Sequence, residues 1–260
     1  MRTAQIASRL TYAAILAAIW FPQDTYAAQQ ERFIPDCAGH VEIAHARVAR
    51  VEQDGALTLA GGRSVRLEGI RLALEGESAG RTRTALSALA QAGTVSFTAT
   101  APQLDRYGRL RVQGFGAQWL QAALLEQGLA RVWIAPDRSE CAPDLYEAEA
   151  RGRAKRAGLW ALAAYRVRAP QDMRNTTGGF HLVEGRASHI SQFDGRTIVN
   201  FSRDGGGFSA LIAPGDRRAF RDYDLDGLAG RSVRVRGIVQ DNQGRPQMAL
   251  SNPYQIEVLD

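Results

Sequence analysis

Lysine is almost missing from this chain: of its 32 basic residues, only Lys155 is not an arginine. That bias can follow genome composition as readily as function, so it carries little weight. Cysteine is scarce too, with Cys37 and Cys141 alone and no closely spaced pair, which excludes zinc-ribbon and disulfide-dense scaffolds. No apolar run reaches the roughly 20 residues needed to cross a bilayer. Long biased tracts are absent as well, and a hydrophobic content of 45% argues for a globular chain rather than a disordered one.

What is present begins with a leader. Arg2 and Arg9 give a basic start, Leu10 to Trp20 an eleven-residue apolar core, and Thr25-Tyr26-Ala27 small residues where a signal peptidase cuts. Residues 1–27 therefore read as a signal peptide, and the mature protein is expected to be periplasmic or secreted, with no membrane span after cleavage. The leader takes two arginines and Asp24 with it, so the net charge of +5 falls by one. A modest positive charge is compatible with an anionic partner without requiring one. Outside the cytoplasm disulfides persist, and Cys37 with Cys141 is expected to form one structural bridge. It would close a loop of about 100 residues, worth on the order of 4 to 5 kcal/mol by chain entropy.

From Val41 to Trp160 the pattern is short strands, then a helix, then strands and helices. Strands are predicted near Val48–Val51, Leu57–Leu59, Val65–Leu67, Val95–Thr98 and Leu110–Val112, with turns at Asp54-Gly55 and Gly61-Gly62. Helices are predicted over about Arg81–Ala92, Gln118–Gln127 and Asp144–Gly158, the last with Glu147/Arg151 and Glu149/Arg153 spaced i,i+4 on its wet side. Residues 165–179 read as a linker. Beyond it, strands are predicted over Phe180–Ala187, Thr197–Phe201, Phe208–Ile212, Val233–Val239 and Gln255–Leu259, with a short helix within Arg217–Leu228. The expected fold is mainly β with α: two OB-like barrels, at 38–164 and 180–260, the first carrying three helices.

Three stretches of the first domain resemble the staphylococcal-nuclease-like family. They are Val65-Arg66-Leu67-Glu68-Gly69-Ile70, the turn Asp105-Arg106-Tyr107-Gly108-Arg109, and Leu124 to Val132 followed by Glu147-Ala148-Glu149-Ala150 and Gly158-Leu159-Trp160. The resemblance implies a phosphodiester-cleaving site in which two arginines, here Arg66 and Arg109, balance charge on phosphorus. In that family, carboxylates hold Ca²⁺ and a glutamate activates water, because a hard cation wants oxygen ligands and a base must accept a proton. Guanidinium forks suit phosphate oxygens.

The acidic half of that site departs from the family. The D-G-D-T turn corresponds to Asp54-Gly55-Ala56-Leu57, which puts Ala56 at a ligand position. Where D-x-P-E is expected after Ile70, the chain reads Arg71-Leu72-Ala73-Leu74, so a second ligand becomes Arg71 and the base becomes Leu74. What remains is a phosphate-binding set of Arg66, Arg71, Arg106, Tyr107 and Arg109. The plainer reading has these arginines simply paired with carboxylates such as Glu68 or Asp105. The alternative function is a metal-dependent phosphodiesterase with an altered site built from Arg66, Arg109 and Glu75; only that alternative calls for Ca²⁺, and otherwise no cofactor is expected.

Asp222-Tyr223-Asp224-Leu225-Asp226-Gly227 imitates the start of a calcium loop, but its twelfth position is Val233 instead of glutamate. His40, His45, His181 and His189 form no ligand pair. Gly205-Gly206-Gly207 lacks the lysine of a phosphate loop and reads as a hairpin turn. In the second domain Arg234 and Arg236 are expected to share a strand face near Tyr254, a groove of the kind that takes single strands by charge and stacking. A docking role is the competing reading. The combined expectation is an exported, non-catalytic nuclease-like protein that binds single-stranded nucleic acid, another polyanion or a protein partner.

Overall fold

The computed structural model describes residues 35–39, 41–174, 176, 178–203 and 207–260. The signal-peptide reading, His40 and the first two residues of the glycine run lie outside them. Five strands close the first barrel: β1 (Val41–Val51), β2 (Leu57–Leu59), β3 (Ser64–Leu67), β5 (Thr94–Ala99) and β6 (Leu110–Phe115). Their order is β1-β2-β3-β6-β5, antiparallel except for the parallel pair β3·β6. A ribbon of β4 (Ile70–Leu72) and β7 (Ala130–Val132), which no strand pattern announced, sits outside the barrel. Alternation decides the faces: in β3, Val65 and Leu67 are buried while Ser64 and Arg66 look outward.

Helices α1 (Ser78–Gln91), α2 (Leu120–Glu126) and α3 (Ala142–Ala154) cover this barrel. Leu86 and Ala90 of α1, and Leu120, Leu124 and Leu125 of α2, join Leu57, Val65, Phe97 and Phe115 in one core. Burying each such leucine is worth about 1.5–3 kcal/mol. Cys37 and Cys141 are bonded, fastening the turn Asp36–Ala38 to the start of α3.

The second region is built from β8 (Phe180–Arg186), β9 (His189–Phe193), β10 (Arg196–Asn200), β11 (Ser209–Ile212), β12 (Ser232–Asn242), β13 (Arg245–Ala249) and β14 (Ile256–Val258). β8 and β9 are successive arms of the chain, one paired with β12 and the other with β10. The sheet β12-β13-β11-β10-β9 thereby wraps back on itself, and β11·β13 is parallel as β3·β6 is. The fifth strand of this barrel is Arg245–Ala249, not the expected 255–259 segment, which adds to the edge of β12 as β14. Pro246 disguises β13 in the sequence; it precedes Gln247, where pairing with β11 begins, so its missing N–H costs that ladder nothing. The predicted helix over 217–228 resolves into two short 3-10 turns, Arg217–Phe220 and Asp226–Leu228.

Within the expected linker, turns at Ala163–Tyr165 and Pro170–Met173 shape the described residues, Met173 is fully buried, and the Arg168 backbone bonds both Leu182 and Glu184 of β8. The two barrels belong to one compact unit. Between them lies Arg236, which donates to Glu149 at 3.0 Å and to Glu257, with its guanidinium 4.3 Å from the Tyr146 ring centre. Glu149 also accepts from Arg153 (2.7 Å) and from the Val132 N–H (2.8 Å). Asn252 donates to the Ile134 carbonyl at 3.2 Å, and Tyr146 to the Tyr254 carbonyl.

This overturns two expectations. Glu149 faces no water, because the second barrel covers that side of α3. Arg236 is no groove residue, because Glu149 and Glu257 hold it between the barrels. Arg234 is likewise engaged, at 2.7 Å from Glu184 and 3.2 Å from Glu257. Among the described residues no helix is long and apolar enough to cross a membrane.

Candidate functional site

The turn between β5 and β6 is held by one side chain. Asp105 Oδ1 accepts from the Tyr107 and Arg109 N–H groups at 2.9 and 3.0 Å, and Gly108 takes a φ of 75° that glycine tolerates best. Asp105 Oδ2 then accepts from Arg109 Nε at 2.8 Å, fixing the guanidinium as well as the backbone. A second turn, Glu52 to Ala56, brings up Asp54, whose Oδ1 caps the Ala56 N–H at 3.1 Å. Its other oxygen accepts from Arg109 Nη1 and lies 3.9 Å from Arg66 Nη1.

Parallel pairing of β3 with β6 puts Arg66 beside Arg111. Arg111 is engaged by Glu68 at 2.5 Å and Asp137 at 2.9 Å. Arg71, from the β4–β7 ribbon, lies 3.3 Å from Glu75 and 5.6 Å from the centre of the Trp133 ring. Tyr107 is 65% exposed, with the Arg106 and Arg109 guanidiniums 5.0 and 4.9 Å from its ring centre.

These parts line a single groove of about 960 Å³. It brings together the residues that the sequence nominated for the first domain's site: Arg66, Arg71, Arg106, Tyr107, Arg109 and Glu75. It also contains residues that the motifs did not nominate. Trp133 is one, legible only in hindsight from its place two residues after Arg131 along an outward-facing edge. Asp54 is another, read from sequence as a turn residue alone.

Asp54 and Asp105 both titrate below the ordinary carboxylate range. Burial by itself would raise them, but hydrogen bonds and charge from Arg109 prevail, reinforced by Arg66 at Asp54 and by backbone N–H donors at both. Arg109 is raised: burial opposes its charge, and the two aspartates outweigh burial. The charges are therefore interleaved. Asp54, Glu68, Glu75 and Asp105 each meet an arginine, and of the groove's arginines only Arg106 has no ion pair among the described residues.

Residues 79–162 match the family model described as staphylococcal nuclease homologue. That part of the first barrel, β5, β6 and the helices, is similar to the staphylococcal nuclease family. The match takes in the Asp105–Arg109 turn and helices α2 and α3, and begins after Asp54, Arg66 and Arg71. No curated protein matches the chain.

The cation implied by this family can be tested against the donor set. Ala56 is buried in its turn and offers no side-chain oxygen. Arg71, which the resemblance sets at the second ligand position, is a cation. Leu74 and Leu72 pack toward Gly55, where a Cβ would stand 2.2 Å from Leu72 Cδ1, so aliphatic carbon lies beside this turn. Among the described residues no three Asp, Glu, His or Cys side chains converge as metal ligands. The residues present do not fit a calcium site of this family's kind.

Proposed function

We propose that this protein is an exported, non-catalytic member of the nuclease-like fold that holds nucleic acid through phosphate contacts in the groove of its first barrel. The observation that carries the reading is the character of the groove. Its cationic half is present and braced, with Arg109 fixed by Asp105 and Arg66 exposed beside it, while Ala56, Arg71 and Leu74 stand where the family needs carboxylates. A guanidinium at position 71 also makes a bound cation redundant, since it carries positive charge to the same place. Phosphate oxygens would be met by Arg66, Arg71 and Arg106, whose outward faces are the least committed. Export rests on the leader and on the compartment that suits the Cys37–Cys141 bridge.

The test is hydrolysis of DNA and RNA by the mature protein, with Ca²⁺ titrated against a chelator. The expected result is oligonucleotide binding without cleavage at any Ca²⁺ level. Metal-dependent cleavage that disappears in Arg109→Ala would replace this reading with the altered phosphodiesterase, and Glu68 and Glu75 would be the first ligands to examine.

A further inference from the structure

Trp133 follows β7, and alternation along that strand turns its ring away from the core: Val132 is buried, Arg131 half-buried and Trp133 exposed on the groove. Its backbone N–H donates to the Gly69 carbonyl at 2.9 Å, and its ring rests against Phe180 of β8, with centres 5.2 Å apart and planes at 48°. Phe180 is itself buried, so the second barrel braces the indole. The indole N–H has no hydrogen-bond partner among the described residues.

Leu104 and Tyr107, from the connection between β5 and β6, line the same groove, and with Trp133 they are 59%, 65% and 37% exposed. A groove for phosphate alone needs guanidiniums and N–H groups, not large apolar side chains held in water. Where such side chains gather in a cleft they mark a binding face. Guanidinium planes accompany the rings here: Arg71 lies 5.6 Å from the Trp133 ring centre and Arg106 5.0 Å from that of Tyr107. An arginine over an aromatic ring occupies the position in which a nucleobase stacks, since both are flat and both meet the π face. Trp133 offers the widest such face in the groove.

We propose that Trp133 is a base platform: one unpaired nucleobase stacks on its ring, in the place that the Arg71 guanidinium takes in the free protein, while Arg71 turns to the adjoining phosphate. The ligand of the groove is then single-stranded. This inference rests on the groove binding nucleic acid and names the kind it takes. In a duplex the faces of each base are covered by its neighbours, and bringing one out costs unpairing and unstacking. A single strand presents those faces freely, and stacking on an aromatic ring tolerates any base. Arg71 is able to make the exchange, because its side chain is 41% exposed and that of its partner Glu75 is 78% exposed, a solvated and weak pair. Trp133, held by Gly69 and Phe180, loses little freedom when the base arrives.

The experiment is fluorescence anisotropy of the mature protein with three labelled probes of about 8 nucleotides, within the site size of a single barrel of this type. They are an oligothymidylate, the same strand with an abasic residue at every position, and a duplex, each titrated over a range of salt. The abasic strand carries the same phosphates without a stacking face, so the wild-type protein decides the matter without a variant. The oligothymidylate should bind at least about tenfold more tightly than the abasic strand or the duplex. Phosphate contacts alone would instead favour the duplex, whose charge density is higher. Trp133→Ala should lose about tenfold in affinity for the oligothymidylate and keep its salt slope, because no phosphate contact is removed, and Trp133→Phe should recover most of the loss. Equal binding of the intact and abasic strands, or tighter binding of the duplex, would overturn the platform and leave the groove standing. A flatter salt slope in Trp133→Ala, or a phenylalanine no better than alanine, would do the same, since the ring would then act only as a support for Arg71. No binding of any probe would overturn both readings. Thermal melts of the variants separate lost binding from lost folding.

Discussion

In the groove, Arg109 donates to Asp105 and Asp54, and Arg66 stands beside the same Asp54, yet one side of the cluster is open. The Arg66 and Arg71 side chains are 43% and 41% exposed. At the junction of the barrels, Arg236 donates to Glu149 and Glu257 with 2% of its own side chain exposed and none of Glu149. The residue types and the pairing are the same in both places, but the solvent differs. Exposed pairs contribute about 0–1 kcal/mol and exchange partners readily, so an incoming phosphate can compete for them. Buried pairs have already lost their water, and removing one partner strands the other charge. Arg66 and Arg71 are therefore available to a ligand, while the junction's arginines hold the two barrels together.

The largest effect expected from this contrast is at Glu149. Glu149→Gln removes the charge that Arg236 faces and weakens the link to Arg153, at a cost of about 3–5 kcal/mol. A urea unfolding curve would show this as a lower midpoint with an unchanged slope. Acid adds a related test through Glu257. Burial alone would raise its pKa, but Arg236 and then Arg234 hold it below the ordinary value. Its contribution is therefore complete above the unfolded carboxyl's pKa and fades as pH falls through the lower folded value. A loss under about 1 kcal/mol in Glu149→Gln would erase the distinction between the two regions.

The converse is expected in the groove. Arg66→Ala should change stability by no more than about 0.5 kcal/mol, since its only ion pair among the described residues is long and solvated. Oligonucleotide affinity should nonetheless fall about tenfold, or about 1.4 kcal/mol. A melting point that drops with no change in affinity would make Arg66 structural and return the groove to the plainer reading.

Much of the first barrel was legible because its signals are local. Alternation gave the strands, Asp105 to Arg109 gave the turn, and the two cysteines gave their bridge. The groove residues could be gathered in advance because the order of the motifs matched that of a known family. What sequence could not carry was the environment on the far side of each residue. Glu149 and Arg153 have the spacing of a wet i,i+4 pair, and only the docking of β12 and β14 against α3 makes that face dry. Arg234 and Arg236 looked like a basic strand face for the same reason. β13 was missed because Pro246 normally argues against an inner strand, and its tolerance depends on where β11 happens to begin. The role of Asp54 depends on Arg109, 55 residues later, which no turn signal encodes.

Asp54 gives the smallest expected effect, and its sign makes it informative. Its carboxylate sits on Arg109 and near Arg66, where a phosphate oxygen would have to go, so the free groove carries an internal competitor. Asp54→Asn keeps an oxygen to cap the Ala56 N–H and removes only the charge. Affinity for a short oligonucleotide should rise about two- to fivefold, as expected from losing a partly exposed ion pair. Because Arg109 holds the Asp54 carboxyl below its usual range, the carboxylate stays charged until the pH falls through that lowered value. Wild-type affinity should then climb toward that of the variant, while Asp54→Asn stays flatter over the same interval. Asp105 titrates in the same groove, so the difference between the two profiles, not either profile alone, reports on Asp54. Lower affinity in Asp54→Asn would mean that the aspartate positions the arginines for the ligand instead of competing with it, and the groove would then resemble the junction more than its exposure implies.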